Sequence, residues 1–222
     1  MKLGENGFTS DKEIQLTVCK TSLFFNGDGF TVYDCHGQLV FRVDSYGRDQ
    51  LELVLMDASG HCLLTVSRKR PSLHNRWEGY LGAERMEGSN LKPIFSVFRS
   101  SMIGRSGVSV ETYENTGEEY HTEGSFAQRS CTFYVTKTRQ IMAEIQRKVD
   151  APSNVILGKT VFSLIIKPGF DAAFTMGLVM VLDQISSDGL VDTITGFDPD
   201  DSNINSLDSI SPKIGPIDVT LL

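Results

Sequence analysis

From Leu16 to Val149 the apolar residues recur mostly at every second position. Phe30 pairs with Val32 in this sense; Leu39, Phe41 and Val43 follow, then Leu51, Leu53 and Leu55, then Cys62, Leu64 and Val66. Phe95 with Val97, Val108 with Val110 and Phe133 with Val135 continue the alternation. Successive side chains of a strand point to opposite faces, so a period of two marks strands with one buried face. Turn-forming clusters separate them: Asn26-Gly27-Asp28-Gly29, Asp34-Cys35-His36-Gly37, Asp57-Ala58-Ser59-Gly60 and Asn115-Thr116-Gly117. The pattern predicts a meander of short antiparallel strands. Gln140–Val149 fits a helical stripe and a strand equally, and its lead Phe133–Arg139 assigns it to the return strand of a hairpin. Val161–Ile166, rich in branched residues, predicts one more strand.

The alternation breaks at Ala172. From there to Leu182 the chain has no charge and a single hydroxyl, Thr175. A surface helix would show a polar face, and this stretch has none. A bilayer span needs about 20 apolar residues. The stretch therefore predicts a helix buried on all sides, turned into place by Pro168-Gly169 and capped by Asp171. Strands followed by one such helix predict a barrel wrapped around a helical plug. After Asp183 the composition shifts to Ser, Asp, Asn, Gly and Pro, and apolar residues such as Ile194, Phe197 and Ile210 keep no period. The expected organisation is a flexible N-terminus over 1–13, a barrel domain over 14–186 and an acidic, mostly disordered tail over 187–222.

One internal repeat is visible. Tyr33-Asp34-Cys35-His36-Gly37-Gln38-Leu39-Val40-Phe41-Arg42-Val43 aligns with Met56-Asp57-Ala58-Ser59-Gly60-His61-Cys62-Leu63-Leu64-Thr65-Val66. Each reads as strand, Asp-x-x-Gly turn, strand. The Asp can accept hydrogen bonds from the turn backbone, and the Gly can take a positive φ. Two like hairpins in series suit a growing wall, and closure of that wall would remove its exposed edges.

Charge narrows the partners. The formal net charge is −7, but Asp188, Asp192, Asp198, Asp200, Asp201, Asp208 and Asp218 against Lys213 put nearly all of it beyond 186. A near-neutral body with an acidic tail argues against direct contact with nucleic acid, whose phosphates require a basic footprint. Cys19, Cys35, Cys62 and Cys131 are widely spaced with no CxxC pair, which fits reduced thiols in an intracellular setting. The first fifteen residues lack the apolar core of a signal peptide. A cytoplasmic protein is expected, peripheral at the plasma membrane or nuclear, and monomeric.

The motifs that resemble catalytic or metal sites each lack a required part. Gly158-Lys159-Thr160 ends like a phosphate loop, but residue 153 is Ser and a strand follows. Gly104-Arg105-Ser106-Gly107-Val108 lacks the final Gly of a nucleophile elbow. Cys35-His36 and His61-Cys62 do not occupy equivalent places in the repeat, so turn and strand roles account for them without a metal. Asp198-Pro199-Asp200-Asp201 has neither the Gly nor the closing Glu of a calcium loop. The expectation is no enzyme, no cofactor and no metal. The dense basic run is Arg68-Lys69-Arg70, with Arg76 nearby. Gathered at one rim of a barrel, these four cations could bind an anionic lipid headgroup, at about 1 kcal/mol per cation near a charged membrane. A solubilising charged loop is the plainer alternative.

Several runs resemble the plant LURP-one-related proteins. They are Gly29–Asp34 with Gly37–Val43, Ser72-Leu73-His74-Asn75-Arg76-Trp77-Glu78, Gly124–Cys131, and Pro168-Gly169-Phe170-Asp171 with the helix to Asp183. The resemblance spans roughly residues 14–186. It implies a mainly β fold of the Tubby C-terminal-like kind: a closed twelve-stranded antiparallel barrel around a hydrophobic C-terminal helix. It also implies distant kinship with tubby proteins and phospholipid scramblases, and a link to basal pathogen defence in some members, but no reaction. Trp77 reads as a core or barrel-end anchor. The leading functional expectation is a non-enzymatic module, tethered to membrane phosphoinositides and serving signalling or transcription in plant defence. The alternative is a soluble scaffold that binds proteins and no lipid. Scramblase-like lipid handling ranks third, because the helix would fill the lumen.

Overall fold

Twelve antiparallel strands close around one helix in the computed structural model of the chain, which describes residues 3, 7–21, 29–46, 52–69, 76–82, 92–100, 107–113, 117–150 and 154–195. The barrel strands are β1 (Ile14–Cys19), β2 (Phe30–Tyr33), β3 (Leu39–Tyr46), β4 (Glu52–Asp57), β5 (Cys62–Arg68), β6 (Trp77–Leu81), β7 (Phe95–Ser100), β8 (Gly107–Thr112), β9 (Glu119–Ser125), β10 (Ser130–Val135), β11 (Ile141–Arg147) and β14 (Val161–Ile166). Each pairs with the next in sequence from β1 to β11, and β14 pairs with both β11 and β1 to close the ring. A short ribbon of β12 (Val149–Asp150) and β13 (Val155–Ile156) lies between β11 and β14 in sequence but outside the barrel sheet. The ambiguous Gln140–Val149 stretch is thus mostly strand: β11 pairs with β10 from Cys131↔Ile145 to Tyr134↔Ile141.

The inward side chains follow the alternation. Val18, Val32, Phe41, Val43, Leu64, Val66, Phe95 and Phe133 are all fully buried. In β4 and β5 the outer face is buried as well, at Val54, Met56, Thr65 and Ser67. The repeated hairpins form as expected. Asp34 Oδ1 accepts from the N–H groups of His36 and Gln38, both at 2.8 Å. Asp57 Oδ1 accepts from Ser59 at 2.8 Å and His61 at 2.9 Å. Gly37 and Gly60 sit at φ of 75° and 92°, where a Cβ would be strained.

Helix α1 (Ala172–Thr195) threads the lumen. Every residue from Ala172 to Asp183 is buried, on all sides of the helix. Phe174 meets Phe95 edge-on at 5.3 Å and Tyr120 at 5.5 Å. A methyl at Gly177 would overlap the Leu64 side chain, so the missing Cβ sets how closely helix and β5 approach. Asp171 caps the helix: its Oδ1 accepts from Phe174 N–H at 2.9 Å.

Two boundaries differ from expectation. Within the N-terminal segment, expected to be loose, the described residues Leu3, Phe8, Thr9 and Ser10 make contacts at the end where α1 enters. Phe8 meets Phe41 edge-on at 4.9 Å. Phe8 O accepts from Ala172 N–H, and Ser10 O from Gly169 N–H, both at 2.9 Å. Leu3 is buried, and its N–H donates to Asp171 Oδ2 at 3.2 Å. At the other end, α1 continues past 186 to Thr195, so the segment read as a tail begins as helix. The remainder of that expected tail, 196–222, lies outside the described residues. Among the described residues no helix is long and apolar enough to cross a membrane.

Candidate functional site: the basic end of the barrel

β1 runs from the end where α1 enters to the end where it leaves, since Ile14 pairs with Ile166 and Cys19 with Val161. Alternating direction around the ring then fixes which turns share the exit end. Arg68 and Lys69 at the end of β5, Arg76 before β6, Arg99 near the end of β7, Arg147 at the end of β11 and Arg129 in the β9–β10 turn all lie there. Lys20 after β1, Lys148 after β11 and Lys159 before β14 join them. Cations spread over most of the chain therefore converge at one end, where the C-terminal half of α1 also presents the negative end of its dipole.

Several of these charges are already matched. Lys20 Nζ lies 3.0 Å from Oδ2 of the buried Asp183. Lys69 Nζ donates to Glu78 Oε1 at 2.8 Å, and Glu78 Oε2 accepts from Tyr80 Oη at 2.9 Å. Arg76 turns onto the outer wall. Its Nη1 lies 3.1 Å from Ser96 Oγ and 3.4 Å from Glu111 Oε2, and its guanidinium sits 4.7 Å from the centre of the Phe98 ring. Arg129 is buried between the Phe126 and Phe162 rings, at 4.2 and 4.3 Å. Its Nε donates to Lys159 O at 2.9 Å. Burial lowers the Arg129 pKa, and Asp183 opposes that shift.

Other cations face neutral oxygens. Arg99 Nη2 donates to Ile185 O at 2.6 Å, tying the barrel wall to the emerging helix. Arg147 is exposed, and its Nε donates to Gln128 O at 3.1 Å. Lys148 Nζ donates to Thr17 Oγ1 at 3.2 Å. Lys159 is exposed. Its neighbourhood is held by β14 and by the Arg129 bond to its carbonyl. So the charge left for an external anion concentrates around β11 and β14.

Of the run singled out in the sequence, Arg68 ends β5 half-buried opposite Trp77. Lys69 and Arg76 are directed to Glu78 and Glu111. Arg70 lies outside the described residues. The structure adds Arg99 in β7, the adjacent pair Arg147 and Lys148 at the end of β11, and Lys159 before β14, which the sequence reading did not single out. Trp77 is 1% exposed and belongs to the core. Of the hairpin His and Cys residues, His61 Nδ1 lies 3.1 Å from Asp57 Oδ2, Cys62 Sγ donates to Gly82 O at 3.0 Å, and Cys35 is exposed. Hydrogen bonds from His61 and Ser59, against an opposing burial effect, hold the Asp57 carboxyl below its usual range.

A second feature lies on the outer wall. A groove of about 1030 Å³ runs along β7 to β10, lined among others by Phe98, Ser109, Glu111, His121, Glu123 and Arg139. His121 stacks on Tyr134 at 5.3 Å, and Arg139 covers the same ring at 4.8 Å. Arg139 Nη1 reaches Glu123 Oε1 at 3.0 Å and His121 Nε2 at 2.6 Å. An arginine only donates, so His121 Nε2 is the acceptor in this pair.

The profile of a protein family described as LURP-one-related matches residues 14–183. Protein LURP-one-related 12 of Arabidopsis thaliana is 60% identical over 199 residues, spanning 86% of this chain and 89% of that protein. Protein LURP-one-related 5 of the same plant is 62% identical over 195 residues, spanning 86% and 91%. An X-ray structure of an Arabidopsis thaliana protein shares the fold, with a TM-score of 0.59 over 81% of this chain and 94% of that one at 22% identity. With the same barrel and most of its length matched, the chain belongs to the LURP-one-related family.

Proposed function

We propose that this chain is a non-enzymatic binding module that attaches reversibly to an anionic membrane surface through the basic end of its barrel. The observation that supports the reading is the convergence of Arg68, Lys69, Arg99, Arg147, Lys148 and Lys159 at one end, several of them facing neutral oxygens. A phosphoinositide headgroup is the anion that best matches such a cluster, since its several phosphates engage more than one cation at once. The lumen is occupied by α1, so a lipid would be met at the end of the barrel. A role in plant signalling, transcription or defence, at the plasma membrane or in the nucleus, belongs to the same proposal.

The test is co-sedimentation of the full chain with phosphatidylcholine vesicles, with and without phosphoinositide, at low and physiological salt. Pelleting should require the anionic lipid and weaken as salt rises. Arg147→Glu/Lys148→Glu/Lys159→Glu should reduce binding by about tenfold or more. Arg68→Glu/Arg70→Glu should reduce it less, because Lys69 and Arg76 beside them are already matched by carboxylates. No pelleting, or pelleting unchanged by both sets of reversals, defeats the reading.

The outer-wall groove favours a second reading, a scaffold that docks a protein segment along β7–β10. Under that reading, Phe98→Ala and Glu123→Ala would reduce partner recovery while leaving vesicle binding as it was.

A further inference from the structure

We propose that the outer-wall groove receives an extended basic segment of a partner protein, with two arginines four residues apart and an apolar side chain midway between them. The inference rests on the scaffold reading of the groove above and names the chemistry of what docks there. Val108, Val110, Tyr120 and Thr122 are buried toward the lumen. Successive residues of a strand face opposite sides, so Ser109 and Glu111 of β8 and Glu119, His121 and Glu123 of β9 lie on the outer face. All five line the groove.

Charge selects the occupant. Three carboxylates, Glu111, Glu119 and Glu123, line the groove against one lining cation among the described residues, Arg139. Glu111 stands directly opposite Glu119 in the β8–β9 register. Like charges in that relation repel, and a cation beside them relieves the repulsion. Arg76 reaches Glu111 at 3.4 Å from outside the groove. The Glu119 carboxylate is exposed and has no hydrogen bond or ion pair among the described residues. Further along, Arg139 holds Glu123 at 3.0 Å, with the two side chains 58% and 37% exposed. Ion pairs so exposed contribute little, and a carboxylate accepts several donors at once. Glu123 can therefore take a second cation without losing the first.

Spacing selects the pattern. Glu119 and Glu123 are four residues apart on one strand, about 14 Å. An extended segment laid along β9 has nearly the same rise, so its residues i and i+4 meet the two carboxylates. Arginine suits both places, because its planar fork matches a carboxylate. Residue i+2 falls over Ser109 and His121, which are register partners, and Phe98 is the partner of Ser109 on the other side. Ser109 is small between two rings, and β7 and β9 stand about 10 Å apart across it, which leaves a seat for one apolar side chain. At Tyr120 and His121, β9 is already paired with both β8 and β10. The segment is thus read by its side chains and not by added backbone pairing.

Fluorescence anisotropy of labelled peptides with the full chain tests this. The probe carries arginine at its second and sixth positions and leucine at its fourth, on a serine background. The comparison peptides are one of the same composition with the arginines three apart, and counterparts with glutamate or glutamine in place of arginine. The probe should bind about fivefold tighter than the respaced peptide, and Glu119→Gln/Glu123→Gln should weaken it by about tenfold. Ser109→Trp, which fills the central seat, should weaken it as much; if that variant does not fold, the Gln pair and the respaced peptide carry the test. Equal binding of the two spacings is attraction to net negative charge and overturns the inference. Preference for the glutamate or glutamine peptide, lost in Ser109→Trp, overturns the basic chemistry while the groove remains a docking site. If no peptide binds, or if a folded Ser109→Trp changes nothing, the groove is not a docking site and both readings fail.

Discussion

Asp171 joins three parts of the molecule. Its backbone bridges Thr9, its Oδ1 caps α1 through Phe174 N–H, and its Oδ2 accepts from Leu3 N–H at 3.2 Å. It is fully buried, so removing the carboxyl strands both donors without water. Asp171→Ala should lower unfolding stability by about 2–4 kcal/mol, measured by urea denaturation. Asp171→Asn, which keeps one acceptor oxygen, should lose less. The cap was legible because capping is local: an acidic residue directly precedes an apolar run. The bond to Leu3 was not, because the partners are 168 residues apart and only the closed barrel brings them together. Arg129 shows the same limit. A polar residue in a turn reads as exposed, yet here Phe126 and Phe162 enclose it.

At the scale of elements, α1 carries the core. Leu178 is 1% exposed and sits on a helix with no wet side. A carboxylate there would be buried away from water in an apolar surrounding. Leu178→Asp should leave the protein insoluble on expression, and recovery of a soluble variant with a cooperative melt would show that the helix is not locked in the lumen. The helix was visible in the sequence as an apolar run, while its length was not. Beyond Asp183 the uncharged run ends, but a helix already nucleated extends at little cost, so α1 reaches Thr195. The strands were legible by their period of two, apart from the outer faces of β4 and β5. Those are buried by surroundings that no local pattern reports.

The whole molecule responds to alkali through groups sealed inside the barrel. Burial pushes the Cys131 thiol up to about 12 from its ordinary 9.0. Burial and the bond to Glu118 raise the Tyr120 hydroxyl as well. Below pH 9 the folded and unfolded chains both hold the Cys131 proton, and the shift has no effect. Above it the unfolded chain ionises first, so stability falls through the window from about 9 to 12, by up to about 1.4 kcal/mol per pH unit for each such group. Urea unfolding between pH 8 and 10.5 should show this decline, and Cys131→Ala should flatten it. A native thiol titration should label exposed Cys35 readily and Cys131 only on unfolding.

The functional end belongs to this scale too. Hydrophobic periodicity, turn chemistry and the uncharged run are properties of neighbouring residues, so the sequence by itself determined a strand meander, its turns and a buried C-terminal helix. Charge is read by a ligand as a field in space. Lys20, Arg68, Arg99, Arg129 and the Arg147-Lys148 pair with Lys159 come from distant parts of the chain and share one end because the ring closes with alternating strand directions. Neutralisation by Glu78, Glu111 and Asp183 likewise depends on cross-strand and strand-to-helix contacts. The tertiary structure alone decided which of these cations are matched by carboxylates and which face neutral oxygens, because that depends on distances between residues remote in sequence.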